Sequence, residues 1–99
     1  MVNMKPHFIL TLIIRLEGCK NLKEKRSRLA SLLNFLKKMN VSVIESNLHD
    51  NHQEAELCII KLSQNAKTLD RDLEHLLTKI NTNRGDIDII NYETERVIC

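Results

Sequence analysis

A dense group of cationic side chains is the strongest chemical feature of this 99-residue sequence. Residues 20–38 contain one acid, Glu24, and the following cations: Lys20, Lys23, Lys25, Arg26, Arg28, Lys37 and Lys38. Lysine and arginine bind phosphate oxygens, and a cluster of them on one surface is the electrostatic footprint of nucleic-acid binding. The alternative is a solvated surface that only keeps the protein soluble.

The leucine spacing predicts that this segment is an amphipathic helix. Asn21 is a good N-cap with Glu24 in the capping-box position, and the helix is expected to run to about Met39. Asn40 can then end it in the left-handed conformation. Apolar residues three and four apart form the expected buried stripe: Leu22, Leu29, Leu32, Leu33, Leu36 and Met39.

Cations on the other side of this helix are the candidate nucleic-acid-binding residues. With about 100° of rotation per residue, one solvent-side stripe contains Lys23, Arg26, Ala30, Asn34 and Lys37. Adding the neighbouring cations gives the predicted binding set: Lys20, Lys23, Arg26, Lys37 and Lys38. Small and amide side chains between the cations leave room for a phosphate backbone.

Lys25 differs from the other cations because it falls on the apolar side of the helix. An unpaired charge is costly to bury, so we expect Lys25 at the rim of the helix–sheet interface with a carboxylate partner. Glu45, Glu93 and Glu95 are available. We favour Glu93 and Glu95 as the partners in a structural ion pair. A lysine that anchors a ligand is the alternative.

The elements around the helix predict an α+β fold. Strands are predicted at 7–16, 41–48, 55–62 and 86–98, and a second amphipathic helix follows a cap at 63–65. Its apolar positions are Ala66, Leu69, Leu73, Leu76, Leu77 and Ile80. The order βαββαβ favours a ferredoxin-like fold: a four-stranded antiparallel sheet in the order 4-1-3-2, with both helices on one face.

Composition indicates one globular domain over residues 1–99. Hydrophobic residues make up 42% of the chain and charged residues 28%. The apolar run at 8–16 is too short to cross a bilayer, which takes about 20 residues. The cysteines are Cys19, Cys58 and Cys99, an odd number without a CxxC motif. We expect reduced thiols in a cytoplasmic protein.

No motif predicts catalysis, a cofactor or a metal. Acylphosphatases share this fold, but their anion loop is rich in glycine, whereas the loop at 16–20 has one glycine and the acid Glu17. Metal chaperones of this fold need a CxxC there. His49 and His52 flank an aspartate, yet a turn without a rigid scaffold is a poor metal site. We therefore expect a protein that is not an enzyme.

Three separated motifs resemble the DUF503 or YlxP-like family of small bacterial proteins of unknown function. The matching segments are 21–26 (NLKEKR), 40–43 (NVSV), and the pair 55–57 (AEL) with 92–97 (YETERV). The resemblance implies a ferredoxin-like fold. The genes of the family often lie among those for translation initiation, which suggests a role near the ribosome. At Asn51 and His52 the family often has a bulkier apolar or aromatic residue, so this chain departs from the family pattern at that turn.

These observations lead to one functional expectation and one alternative. The chain is expected to be a non-enzymatic accessory factor that contacts ribosomal RNA or a ribosomal subunit through the basic helix. Tyr92 is the one aromatic residue expected on the open side of the sheet, so base stacking there is disfavoured and backbone contact is favoured. The alternative is a protein-interaction module that forms a homodimer or binds a partner through an exposed sheet edge.

Overall fold

A computed structural model describes residues 5–83 and 86–97 of the chain. The helices and strands are β1 (His7–Leu16), α1 (Leu22–Lys37), β2 (Ser42–Asn47), β3 (Glu54–Leu62), α2 (Leu69–Asn83) and β4 (Ile87–Val97). A 3-10 turn at Ala66–Thr68 leads into α2. The predicted loop residues 84 and 85 and the last two residues, including Cys99, lie outside the described part.

The four strands form one antiparallel sheet in the order β2-β3-β1-β4. This is the predicted 4-1-3-2 order written from the other edge, so the predicted ferredoxin-like α+β fold is confirmed. β1 lies inside the sheet between β3 and β4, in agreement with its two apolar faces. β2 and β4 are the edge strands, as their polar content indicated.

Strand register decides which residues face the helices. The even-numbered residues of β1 are all buried, and they form the centre of the core: Phe8, Leu10, Leu12, Ile14 and Leu16. The sequence of β3 left its orientation open. Its residues Ala55, Leu57 and Ile59 pair with even-numbered β1 residues and are fully buried, so they share the core face. Ile60 and Leu62 consequently lie on the opposite face, here called the open face.

The pairing of β4 with β1 is irregular midway along the strand. Its register against β1 shifts between Ile13 and Ile14, where Asn91 and Ile89 are the partners and Ile90 has none. A one-residue insertion of this kind is a β-bulge. Beyond it, the alternation of β4 changes phase relative to a regular strand, so Ile87 and Ile89 face the helices. Tyr92 pairs with the core residue Leu12, so it lies at a helix-facing position and not on the open face, where it was expected.

Asn21 caps α1 as predicted, whereas Glu24 reaches the N–H one residue before the N-cap instead of that of Asn21 itself. The Asn21 side chain accepts the Glu24 backbone N–H at 2.8 Å, and the Glu24 carboxylate accepts the Lys20 N–H at 2.6 Å. The helix ends at Lys37, two residues before the predicted end at Met39, and Asn40 has a left-handed φ of 60°. Three of the predicted apolar residues, Leu29, Leu32 and Leu36, are buried. Leu33 and Met39 pack at the edge of the core, and Leu22 is half-buried.

The two helices cover different halves of the sheet. α1 contacts β2, whereas α2 contacts β1 and β4. In α2, Leu69, Leu76 and Ile80 are buried, and the predicted core residue Leu73 is half-buried against them. Ala66 was predicted to begin this buried stripe, but it is exposed because it belongs to the 3-10 turn before the helix.

Candidate nucleic-acid interface

The five predicted binding cations are all exposed, at α1 or directly beside it. They are named together as the basic face: Lys20, Lys23, Arg26, Lys37 and Lys38. Ala30 and Asn34 between them are exposed as well. Lys23 and Lys37 lie fourteen residues apart in one rigid helix, which corresponds to about 21 Å at 1.5 Å per residue. The basic face can therefore contact phosphates near both ends of α1.

Arg28 belongs to the same cationic segment but has a structural role. Its guanidinium donates to the Glu17 carbonyl at 2.7 Å and to the Asp86 carbonyl at 3.0 Å. It also forms an ion pair with the Asp86 carboxylate at 2.9 Å. These contacts join α1 to the loop after β1 and to the start of β4. Arg28 is thus engaged in the fold rather than presented to solvent.

Lys25 is buried, with 2% of its side chain exposed, rather than placed at the rim. Its ammonium group donates to the Leu48 carbonyl at 2.7 Å and to the Asn51 carbonyl at 2.5 Å. The third partner is the Glu45 carboxylate at 3.0 Å. Two hydrogen bonds and one ion pair thus hold this ammonium group. This coordination makes its burial tolerable.

The favoured partners of Lys25, Glu93 and Glu95, were the wrong choice. Both acids lie on β4, at the edge of the sheet opposite β2. They pair with the odd-numbered residues Thr11 and Ile9 of β1, which places them on the open face, away from both helices. The right-handed crossover after β1 brings α1 over the β2 side instead, where Glu45 faces the helix.

Lys25 fixes the turn between β2 and β3. Leu48 begins this turn with a left-handed φ of 64°, a conformation that a leucine adopts only when its surroundings hold it there. The Asn51 N–H closes the turn on the Leu48 carbonyl at 3.0 Å, and the Asn51 side chain accepts the N–H groups of Gln53 and Glu54. Because Lys25 binds both carbonyls, α1 and the turn form one rigid unit.

A pocket of about 350 Å³ lies between α1 and this turn. Its apolar wall is formed by α1, and its polar wall by Glu45 and the turn; the lining residues are Leu22, Lys25, Arg26, Leu29, Ala30, Leu33, Glu45, His49 and Asp50. The size is at the lower end of the usual range for small-ligand pockets. Arg26 belongs both to this pocket, here called the α1 pocket, and to the basic face.

The open face of the sheet has the opposite character. In the described strands, five acids lie on this face: Glu54, Glu56, Asp88, Glu93 and Glu95. One arginine, Arg15, lies among them and forms an ion pair with Glu54 at 3.0 Å. Toward β2 the same face exposes large apolar side chains: 62% of Ile44, 42% of Ile60 and 66% of Leu62. This face would repel a phosphate backbone, and it offers apolar area to a protein.

Two acids near the N-terminus of α1 have shifted pKa values. The Lys20 backbone N–H, as the largest contribution, lowers the pKa of Glu24 below its ordinary value. A hydrogen bond with the Asp88 carboxyl raises the pKa of Glu17, and burial adds to this effect. Glu24 therefore remains ionised and engaged with the helix N-terminus, where its charge partly offsets that of Lys20.

The thiols and the histidines offer no further site within residues 5–83 and 86–97. Cys19 is buried and its Sγ lies 3.5 Å from the Asn21 carbonyl, whereas Cys58 is half-buried, and neither is in a disulfide. No group of three metal-ligating side chains comes together in this part of the chain. None of its helices is long and apolar enough to cross a membrane.

The fold and the basic helix define a small α+β protein of the ferredoxin-like class. The chain belongs to the family described as "Protein of unknown function (DUF503)", whose model matches residues 8–94. The "De novo designed protein Foldit4" has a similar structure, with a TM-score of 0.50 and 15% identity, covering 96% of this chain and 99% of the design. At that identity the likeness concerns the fold alone. A search of curated proteins found no match.

Proposed function

We propose that this protein is a cytoplasmic, non-enzymatic accessory factor that contacts RNA, at or near the ribosome, through the basic face of α1. The supporting observation is the exposure of five cations in α1 or directly beside its ends, while Lys25 and Arg28 are engaged in the fold. Lys20, Lys23 and Arg26 lie at the start of the helix and Lys37 and Lys38 at its end, so phosphates can be contacted at both ends of α1. The acidic open face confines this contact to the helical side.

Charge reversal on the basic face tests the proposal. The triple variant Lys23→Glu, Arg26→Glu, Lys37→Glu changes exposed residues only, so the core and the fold should be retained. A matched control reverses three exposed cations outside α1: Lys5→Glu, Lys67→Glu and Arg71→Glu. Both variants have the same net charge, so a difference between them reports position rather than total charge.

Binding to purified ribosomal RNA is measured at low salt for the parent and both variants, by filter binding or fluorescence anisotropy. We expect the α1 triple variant to lose binding and the control to retain most of it. Circular dichroism confirms that each variant is folded. If the folded α1 variant binds as well as the parent, the basic face is only a solvated surface and the proposal is wrong.

A second candidate function is protein binding through the sheet, and the exposed apolar residues Ile44, Ile60 and Leu62 favour it. β2 is a short edge strand beside them, and an added strand or a second copy could pair there. Light scattering across a range of concentrations tests the homodimer. Ile44→Lys should abolish such a dimer, and a parent that remains monomeric at high concentration argues against it.

A further inference from the structure

The α1 pocket adjoins the basic face, but its own charge is balanced. Two cations, Lys25 and Arg26, and two acids, Glu45 and Asp50, line it. Lys25 is already neutralised by Glu45 at 3.0 Å. A phosphate would be only weakly attracted to a pocket of balanced charge. The exposed cations on the adjacent surface of α1 remain available to bind phosphates. The pocket therefore suits a neutral group that is attached to an anionic chain.

The walls of the α1 pocket narrow the class of that neutral group further. Leu22, Leu29, Ala30 and Leu33 form an apolar surface, which a hydrated sugar would not favour. Arg26 at the border has a planar guanidinium that stacks well on flat rings. On the opposite wall, Asp50 provides carboxylate oxygens for hydrogen bonds at a ring edge, and His49 provides Nδ1, since its Nε2 lies 3.1 Å from the Glu45 carbonyl.

Resting on the proposed RNA contact, we infer that the α1 pocket receives one unstacked nucleobase while the basic face holds the phosphates on either side of it. Single-stranded RNA is read in this way when its bases are splayed out and their edges are hydrogen-bonded. Carboxylates accept hydrogen bonds from exocyclic amines, as in the pairing of Asp or Glu with cytosine N4. The pocket should therefore favour cytosine over uracil.

Lys25 acts as a positioning residue for this site. It holds the carbonyls of Leu48 and Asn51, and so fixes the turn that carries His49 and Asp50 against α1. Without it, the polar wall of the pocket would be free to move away from the helix. This role accounts for a buried lysine in a segment whose other lysines are exposed.

The test uses short fluorescent single-stranded RNA oligomers: all-cytidine, all-uridine, and an abasic oligomer of the same length. Ala30→Leu fills the pocket without changing any charge, and Ala30 is exposed, so the helix should tolerate the change. Asn34→Leu is the matched control, because Asn34 lies one turn further along the same exposed side and does not line the pocket.

We expect the parent to bind all-cytidine RNA about 5- to 100-fold more tightly than abasic RNA, the range for one buried or stacked base. The uridine oligomer should lie between them. Ala30→Leu should reduce binding of the cytidine oligomer to the abasic level, while Asn34→Leu should not. The abasic affinity should be the same for all three proteins, because no phosphate contact changes.

Other outcomes overturn the inference in distinguishable ways. Equal binding of base-bearing and abasic RNA shows that the pocket takes no base, although RNA contact through the basic face stands. A base preference that Ala30→Leu leaves intact shows that the base binds elsewhere. Absence of binding to every oligomer defeats the proposed RNA contact together with the inference, and leaves the pocket for an apolar side chain of a protein partner.

Discussion

The two sides of this small protein differ in charge and in how their charged residues are held. On the α1 side, exposed cations include Arg26 at the border of a pocket whose polar wall is held by the buried Lys25. On the open face, acids lie beside exposed isoleucines and a leucine. The formal net charge of +2 conceals this division. Each face therefore suits a different class of partner, which the total charge does not reveal because it averages over two surfaces of opposite sign.

The comparison also separates structural charges from those available to a ligand. Lys25 and Arg28 occupy the same segment as Lys23 and Arg26, within six residues of chain. The first two bind backbone carbonyls and carboxylates of the protein, and the second two are exposed. Substitutions should therefore fall into two classes, one that lowers stability and one that lowers RNA affinity.

The largest expected effect is on stability, from Lys25→Ala. This change leaves the Glu45 carboxylate and two carbonyls without their common donor, and removal of one partner of a buried ion pair typically costs about 3–5 kcal/mol. Lys23→Ala on the exposed side of the same helix should change the free energy of unfolding by less than about 0.5 kcal/mol. Urea denaturation measures both. Equal values for the two variants would show that Lys25 does not join the turn to α1.

The two faces of β3 provide the next comparison. Leu57 is fully buried against the helices, so Leu57→Ala should cost about 2–5 kcal/mol of unfolding free energy. Leu62 is 66% exposed on the open face, and Leu62→Ala should change it by less than about 0.5 kcal/mol. A large loss with Leu62→Ala in thermal or urea unfolding would mean that the open face is covered in solution, as in a dimer.

A smaller effect separates Arg28 from Arg26. Arg28→Ala removes three hydrogen bonds between α1 and the ends of β1 and β4, and these are partly solvent-screened, so we expect a loss of about 1–2 kcal/mol of stability. Its RNA affinity should stay unchanged. Arg26→Ala should show the reverse: unchanged stability and weaker RNA binding at low salt. Weaker RNA binding by folded Arg28→Ala would show that Arg28 also contacts RNA, and would contradict its assignment as a purely structural residue.

Much of the fold follows from periodicity. Alternating apolar residues define β1 over its observed range, and the cap at Asn21 and the left-handed Asn40 delimit the helix region. Those signals are local, so each strand or helix can be predicted from its own residues. The α1 end differs by two residues, because the last turn before Asn40 closes with shorter-range hydrogen bonds.

The partner of Lys25 could be predicted only as a type of residue. Because Lys25 lies on the apolar side of α1, it requires an acidic partner, and the sequence offered three: Glu45, Glu93 and Glu95. Choosing Glu45 requires knowing which half of the sheet α1 covers, and that depends on the handed crossover rather than on spacing. The turn carbonyls that complete the coordination have no sequence signal, because backbone acceptors are identical in every residue.

The α1 pocket was likewise beyond sequence reasoning. Its lining combines residues of one helix face with Glu45, His49 and Asp50, which are close only because the turn folds back toward α1. One signal was present in the sequence: Lys25 falls on the apolar side of the helix, and a buried ammonium group requires polar partners. That signal indicated a polar contact under α1, although it did not identify the turn or the cavity.

Salt dependence of RNA binding tests the central claim most directly. Three phosphate contacts from Lys23, Arg26 and Lys37 predict that the logarithm of the association constant falls with the logarithm of salt concentration with a slope of roughly −2 to −3. The slope is measured for the folded parent and for the triple charge-reversal variant on ribosomal RNA. We expect the parent to show this slope and the variant to show no measurable binding. A parent slope near zero, or an equal slope in the variant, would contradict RNA contact through the basic face.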